Sequence, residues 1–259
     1  MDIRDYNRDA WNSYVEKKNR WTLPVTKAEI EQARKGEFSI FLTPSEPVPF
    51  DWFPPLSGLK VLCLASGGGQ QGPILSAAGA EVTVYDNSPR QLGQDRLVAE
   101  REGLRLQTVE GDMADLSAFE DSCFGFIFHP CSNSFSEDLT KVWLEAYRVL
   151  EPGGTIVAGL SNPIPYLFNR ELEEKGVFKL KYKMPYSDVN CLSKEELNAF
   201  IEADEPLEFA HSLEDLLGGQ IAAGFRLIGF YEDDWGGQEA IDKYFKSFIA
   251  TRAEKPAGQ

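Results

Sequence analysis

Three glycines, Gly67, Gly69 and Gly72, follow the apolar run Val61-Leu62-Cys63-Leu64-Ala65, and Asp86 closes a second apolar run further on. Residues of these types in this order can hold a nucleotide. Glycine allows positive φ and lets a ligand approach the main chain with no Cβ in the way, and a carboxylate at the Asp86 position can accept both hydroxyl hydrogens of a ribose. Gly67, Gly69 and Gly72 satisfy G-x-G-x-x-G, and Asp86 lies near the distance of about 20 residues found in dinucleotide sites. Other adenosine ligands use the same arrangement, so the glycines leave the cofactor class open. The chain has two histidines. His129 ends a strand-like run and is expected to project into the ligand crevice, as a cofactor contact or a general base. Asn133 nearby is a candidate polar contact for a substrate. His211 precedes Ser212 and Asp215, which form a capping-box pattern, and reads as structural.

Lys60 to Ala65 is short and unbroken, as expected of a strand buried on both faces of a parallel sheet. Gln70 to Ala78 suits the helix that follows, with Pro73 tolerated in its first turn. Glu81 to Tyr85 is the second strand. Ser88 caps a helix running from Pro89 to Glu102 and stopped by Gly103, and Leu104 to Val109 is the third strand. Further strands are expected over Phe124 to Pro130 and Thr155 to Leu160. The C-terminal third predicts a helix from Ser212 to Ala223 and two β-rich segments, Gly224 to Tyr231 and Tyr244 to Thr251.

From Leu59 to Leu160 the sequence resembles the class I S-adenosylmethionine-dependent methyltransferases. Beside the glycine turn, the resemblance rests on Glu110-Gly111-Asp112-Met113, on Phe124 to Pro130, and on Leu150-Glu151-Pro152-Gly153-Gly154 at a helix end and strand entry. It implies an α/β fold: a Rossmann-like, doubly wound, mostly parallel seven-stranded sheet with a C-terminal antiparallel hairpin. It also implies S-adenosyl-L-methionine as cofactor. Ala65, Ser66, Gly67, Gly69, Asp86, Asn87, Asp112, Met113 and His129 are the expected cofactor residues, with Asp112 receiving the adenine amino group and Met113 packing the ring. The family commonly has an acidic residue at the Cys63 position, a first glycine at Ala65 and Asp at Gly125. An NAD-linked oxidoreductase on the same turn is the competing reading, but no Tyr-x-x-x-Lys pair sits where a proton relay would need it. A third reading is a non-catalytic protein that kept the cofactor site.

With 259 residues the chain fits one α/β domain with embellishments. Its formal net charge of -15 disfavours a phosphate backbone as partner and favours a small-molecule acceptor. Four cysteines without metal spacing read as reduced thiols, no metal site is expected, and oligomeric state is left open. No segment has the composition of a signal peptide or membrane span, so a cytoplasmic location is expected.

Two segments lie outside the common sheet. Residues 1–57 form an arm with a helix over Thr26 to Lys35 and an extended, proline-rich stretch from Pro44 to Pro55. Its Tyr6 and Trp21 are candidate substrate or sulfonium contacts, where an aromatic face stabilises a cation by roughly 0.5–2 kcal/mol. The methyltransferase domain spans 58–259 and carries an insertion, 161–211, expected to roof the substrate, with a capping box at Ser193 to Glu196 opening a helix to about Ala203.

Overall fold

The computed structural model describes residues 2–258; Met1 and Gln259, the ends of the expected arm and of the polar tail, lie outside the described residues. The N-terminal segment holds α1 (Ile3–Glu16) and α2 (Lys27–Ala33). The sheet region follows with β1 (Lys60–Leu64), α3 (Gln71–Ala77), β2 (Glu81–Asp86), α4 (Pro89–Glu102), β3 (Leu106–Glu110), β4 (Phe124–His129), α5 (Leu139–Val149) and β5 (Leu150–Ser161). The insertion contains α6 (Arg170–Glu173), β6 (Tyr186–Ser187), α7 (Asp188–Cys191), α8 (Lys194–Ala203) and β7 (Phe209–Ala210). The chain closes with α9 (Gly219–Ala223), β8 (Arg226–Asp233) and β9 (Phe248–Glu254).

The seven-stranded sheet has the order β3-β2-β1-β4-β5-β9-β8. Pairings are parallel from β3 to β5, and β9 runs antiparallel to both β5 and β8, which is the expected C-terminal hairpin. Strand order reverses between β1 and β4, so their carboxyl ends open the crevice in which such sheets bind ligands. Alternation in β1 feeds both faces: Val61 and Cys63 join one core with Ile30, Val84 and Phe128, while Leu62 and Leu64 join the other with Trp143 and Ile156. Each such aliphatic side chain contributes on the order of 1.5–3 kcal/mol by leaving water.

The local signals act as their chemistry requires. Ser88 Oγ accepts from Gln91 N, and Gly103 ends α4 at φ 65. Ser193 and Glu196 cap α8 reciprocally. Three expectations change. First, Pro152-Gly153-Gly154 lies inside β5 as a bulge: pairing with β4 jumps from Phe124↔Leu150 to Phe126↔Thr155. Second, the continuous helix expected from Ser212 is a π turn, Glu214–Gly218, followed by α9, and the Gly219 backbone lies so close to Trp143 that a Cβ would stand 2.7 Å from the ring. Third, the start of the arm, Ile3–Glu16, is the helix α1. Gly125 also finds its reason, since a side chain there would collide with Leu59.

Candidate active site

The glycine turn is held from behind by two carboxylates. Gly67 N–H donates to Asp86 Oδ2 at 2.9 Å, and Ser88 N–H donates to Oδ1 of the same side chain at 2.8 Å. Burial pushes the Asp86 carboxyl above its usual range, and those two N–H donors pull it back. The second is Asp95 on α4, fully buried, which accepts from Gly68 N–H at 3.0 Å. Asp95 belongs to no sequence motif of the turn. Its signal is a carboxylate set in the buried stripe Gln91, Leu92, Asp95, Val98 of an otherwise amphipathic helix. Cys63, where the family commonly has an acid, is fully buried and its thiol is pushed up by burial and by Asp95. The turn therefore draws its supporting carboxylate from α4, not from β1. Ala65 takes φ 46, the left-handed region that glycine occupies more readily. Its carbonyl accepts from Ser132 Oγ at 3.1 Å, so the backbone course survives without the glycine.

A cavity of about 1720 Å³ opens at the carboxyl ends of β1, β2 and β4 and extends under the insertion. Ala65, Ser66, Gly67, Asp86, Asn87, Asp112 and Met113 line one end of it, and Trp21 also reaches the lining. These residues fit an adenosine ligand. Each Asp86 oxygen keeps a lone pair for a ribose hydroxyl, and a Cβ on Gly67 would stand 3.0 Å from Asp86 Oδ2, closing the gap the ligand needs. Asp112 Oδ1 caps the turn through Ala114 N, and its Oδ2 lies 3.8 Å from Arg4 Nε of α1.

Four expected positions lie elsewhere. Gly69 is not in the lining; its carbonyl accepts from Val25 N at 2.9 Å and ties the turn to the N-terminal segment. His129 does not project into the crevice. It is fully buried, donates through Nδ1 to Leu64 O at 2.8 Å, has Nε2 3.1 Å from Asn133 Oδ1, and meets the edge of Trp143. Strand alternation turns it inward, where burial lowers its pKa while the contacts with Leu64 O and Asn133 pull it back, and it serves as a structural residue. Asn133 is likewise enclosed, donating to Gly159 O at 3.3 Å. Tyr6 stays outside the cavity lining, and its hydroxyl donates to Glu205 O at 2.9 Å, fastening α1 to the insertion. His211 donates through Nε2 to Ser136 O, as a structural residue would.

The elements that roof the cavity are α1 and the insertion. α1 stands on the nucleotide end through Asn87 Nδ2 donating to Arg4 O at 2.9 Å, Ser88 Oγ donating to Asn12 Oδ1 at 2.8 Å, and the Arg90–Glu16 ion pair. Buried Asn7 exchanges two hydrogen bonds with the Leu207 backbone, at 3.0 and 2.8 Å. Lys17 and Ser13 both bind Asp204. Among the described residues no three metal-ligating side chains cluster, and no helix is long and apolar enough to cross a membrane.

Residues 62–158 match the family model described as methyltransferase domain. The chain is 53% identical over 250 residues to a Bacillus subtilis (strain 168) protein described as uncharacterized methyltransferase YbaJ, covering 96% of this chain and 97% of that one. It is 31% identical to the demethylmenaquinone methyltransferase of Thermus thermophilus, over 64% of this chain and 74% of that one. A solved S-adenosylmethionine-dependent methyltransferase from Mesorhizobium loti shares the fold at a TM-score of 0.61 and 16% identity, covering 79% of this chain and 94% of that one. With the sheet order, the glycine turn and the full-length relative in agreement, the chain belongs to the class I S-adenosylmethionine-dependent methyltransferases.

Proposed function

We propose that this enzyme methylates a small molecule bound beneath α1 and the insertion, with the cofactor's adenosine held between the Gly67 turn, Asp86 and the Asp112-Met113 segment. The observation that supports this reading is one continuous cavity that runs from the glycine turn to the insertion, room for donor and acceptor side by side. S-adenosyl-L-methionine supplies a methyl group already activated on a sulfonium. The chain's own task is then to align the reacting atoms and keep water out. Asp86 orients the ribose, Asp112 and Met113 the base, and α1 with the insertion closes the roof. Neither histidine is placed to move a proton at the acceptor: neither lines the cavity, His129 is fully buried, and His211 gives its Nε2 to Ser136 O. The net charge of -15 disfavours a nucleic-acid acceptor.

Calorimetry tests the cofactor half directly. S-adenosylhomocysteine binds wild type, and Asp86→Ala weakens it at least tenfold, equal to about 1.4 kcal/mol, with the fold retained by circular dichroism. Wild-type binding of NADH with none of S-adenosylhomocysteine would sink the reading.

A further inference from the structure

The end of the cavity away from the glycine turn is built from a different set of groups. Glu208, just before β7, is partly buried; its Oε2 accepts from the Tyr166 hydroxyl at 2.6 Å, and Oε1 has no hydrogen-bond partner among the described residues. Asp188 is 3% exposed and each of its oxygens holds a donor, Oδ1 accepting from Tyr186 Oη and Oδ2 from Glu208 N, both at 2.7 Å. Asp188 therefore aims Glu208 and leaves it the free acceptor. The Tyr166 and Tyr186 rings stand 5.6 Å apart beside it. Arg170, the nearby cation, forms no ion pair with either carboxylate among the described residues; its guanidinium sits 5.1 Å from the Phe200 ring centre. Around the whole cavity fourteen carboxylate residues face five lysines and arginines.

A carboxylate with spare acceptor capacity, walled by aromatic rings and partly withdrawn from water, suits an organic ammonium. The charge attracts it, the ring faces add cation–π attraction, and the same field repels a carboxylate or phosphate. We propose that the acceptor is a small molecule carrying an amine, which the insertion holds in its ammonium form at Glu208 with Tyr166 and Tyr186 as the ring wall; this rests on the small-molecule reading above. Burial raises the Glu208 carboxyl from its ordinary value, the Tyr166 hydroxyl and the Arg170 charge pull it partly back, and a bound ammonium would offset more of that cost.

The test uses the full chain loaded with S-adenosylhomocysteine and saturation-transfer NMR with matched probes on one body: benzylamine, benzyl alcohol and benzoate, then cyclohexylmethylamine, cyclohexylmethanol and cyclohexanecarboxylate. The expected result is binding by the amines over their alcohols and carboxylates. Glu208→Gln then weakens the amines at least tenfold, Arg170→Gln does not weaken them, and both variants keep wild-type affinity for S-adenosylhomocysteine. Wild type alone decides the class, so the test survives a variant that fails to fold. Amines that bind no better than alcohols overturn the proposal, as do carboxylates that bind best and are lost in Arg170→Gln, or amine binding unchanged in Glu208→Gln. Any of these with S-adenosylhomocysteine still bound leaves the methyltransferase reading standing; loss of S-adenosylhomocysteine binding in wild type removes that reading and the proposal with it.

Discussion

Asp95 stands in a position that a charged carboxylate tolerates poorly. Its Oδ1 and the Oε1 of Gln91, one helical turn away, are both buried acceptors without a donor. A proton on Asp95 removes the buried charge and supplies a donor beside Gln91, while Oδ2 still receives Gly68 N–H. Burial, aided by the nearby Asp86 carboxylate, pushes the carboxyl up to about 8. Cys63, which packs behind the turn, stays an uncharged thiol. The native state thus keeps a proton that the unfolded chain releases near pH 4. The contribution of Asp95 to stability is greatest below the unfolded value, falls as pH rises, and stops falling above about 8. Scanning calorimetry from about pH 6 to about pH 9 should show wild type losing at most about 1.4 kcal/mol per pH unit from this group, levelling above its folded value. Asp95→Asn, which mimics the neutral acid, removes that component, raises Tm at about pH 8, and leaves S-adenosylhomocysteine affinity nearly unchanged. Parallel profiles would show that Asp95 is ionised. At this scale the residues legible in the sequence are those whose type the turn itself dictates, such as Gly67 and the Asp86 that holds its N–H. The sequence does not reveal Asp95, Tyr166 or Glu208, whose roles come from neighbours brought in from distant segments. His129 shows the converse, because its place at a strand end is legible but the face onto which it turns is set by packing against Trp143.

Among the elements, the strands around the nucleotide crevice follow from unbroken apolar runs and from caps and glycine stops. Edges differ by a few residues, and where they differ most, at Leu150, the bulge reflects pairing with β4 that no local pattern encodes. α1 is an element whose helical period is legible in the sequence. Ile3, Asn7, Ala10, Trp11 and Tyr14 recur at helical spacing behind the Asp2 cap, and Tyr6 on the same helix serves its attachment to the insertion instead of a ligand. In the structure this helix is a strap, resting along its length on Asn87, Ser88 and Arg90 through Arg4, Asn12 and Glu16 and clasping Leu207, Glu205 and Asp204 through Asn7, Tyr6, Ser13 and Lys17. Asn7 is the clasp's buried member at 3% exposed. Removing it with Asn7→Ala orphans the N–H and C=O of Leu207, a cost of about 1–3 kcal/mol. Hydrogen exchange in Asn7→Ala should accelerate over residues 3–16 and 204–208 and leave β1, β4 and β5 protected, because the sheet does not depend on the clasp. S-adenosylhomocysteine affinity should fall several-fold as the roof loosens. Uniform acceleration across the sheet would mean instead that the strap is part of the global folding unit.

For the molecule as a whole, the net charge of -15 and the excess of carboxylates around the cavity place a negative field at the mouth of the site. That field distinguishes the two forms of the cofactor. S-adenosylmethionine carries a sulfonium besides its amino and carboxylate groups, whereas the demethylated product is close to neutral overall. Long-range attraction should therefore act on the methyl donor and scarcely on the product, and dissolved ions should screen it, since the Debye length shrinks from about 10 Å at about 0.1 M salt to about 3 Å at about 1 M. Calorimetry at rising ionic strength should show S-adenosylmethionine affinity falling by a few-fold between about 0.05 M and about 0.5 M salt, with S-adenosylhomocysteine changing far less. A cationic acceptor would fall in parallel with the donor, so the same acidic surface would draw both substrates in and release a product that it does not hold. Equal salt dependence for donor and product would show that local contacts at Asp86 and Asp112, and not the molecular field, set cofactor affinity.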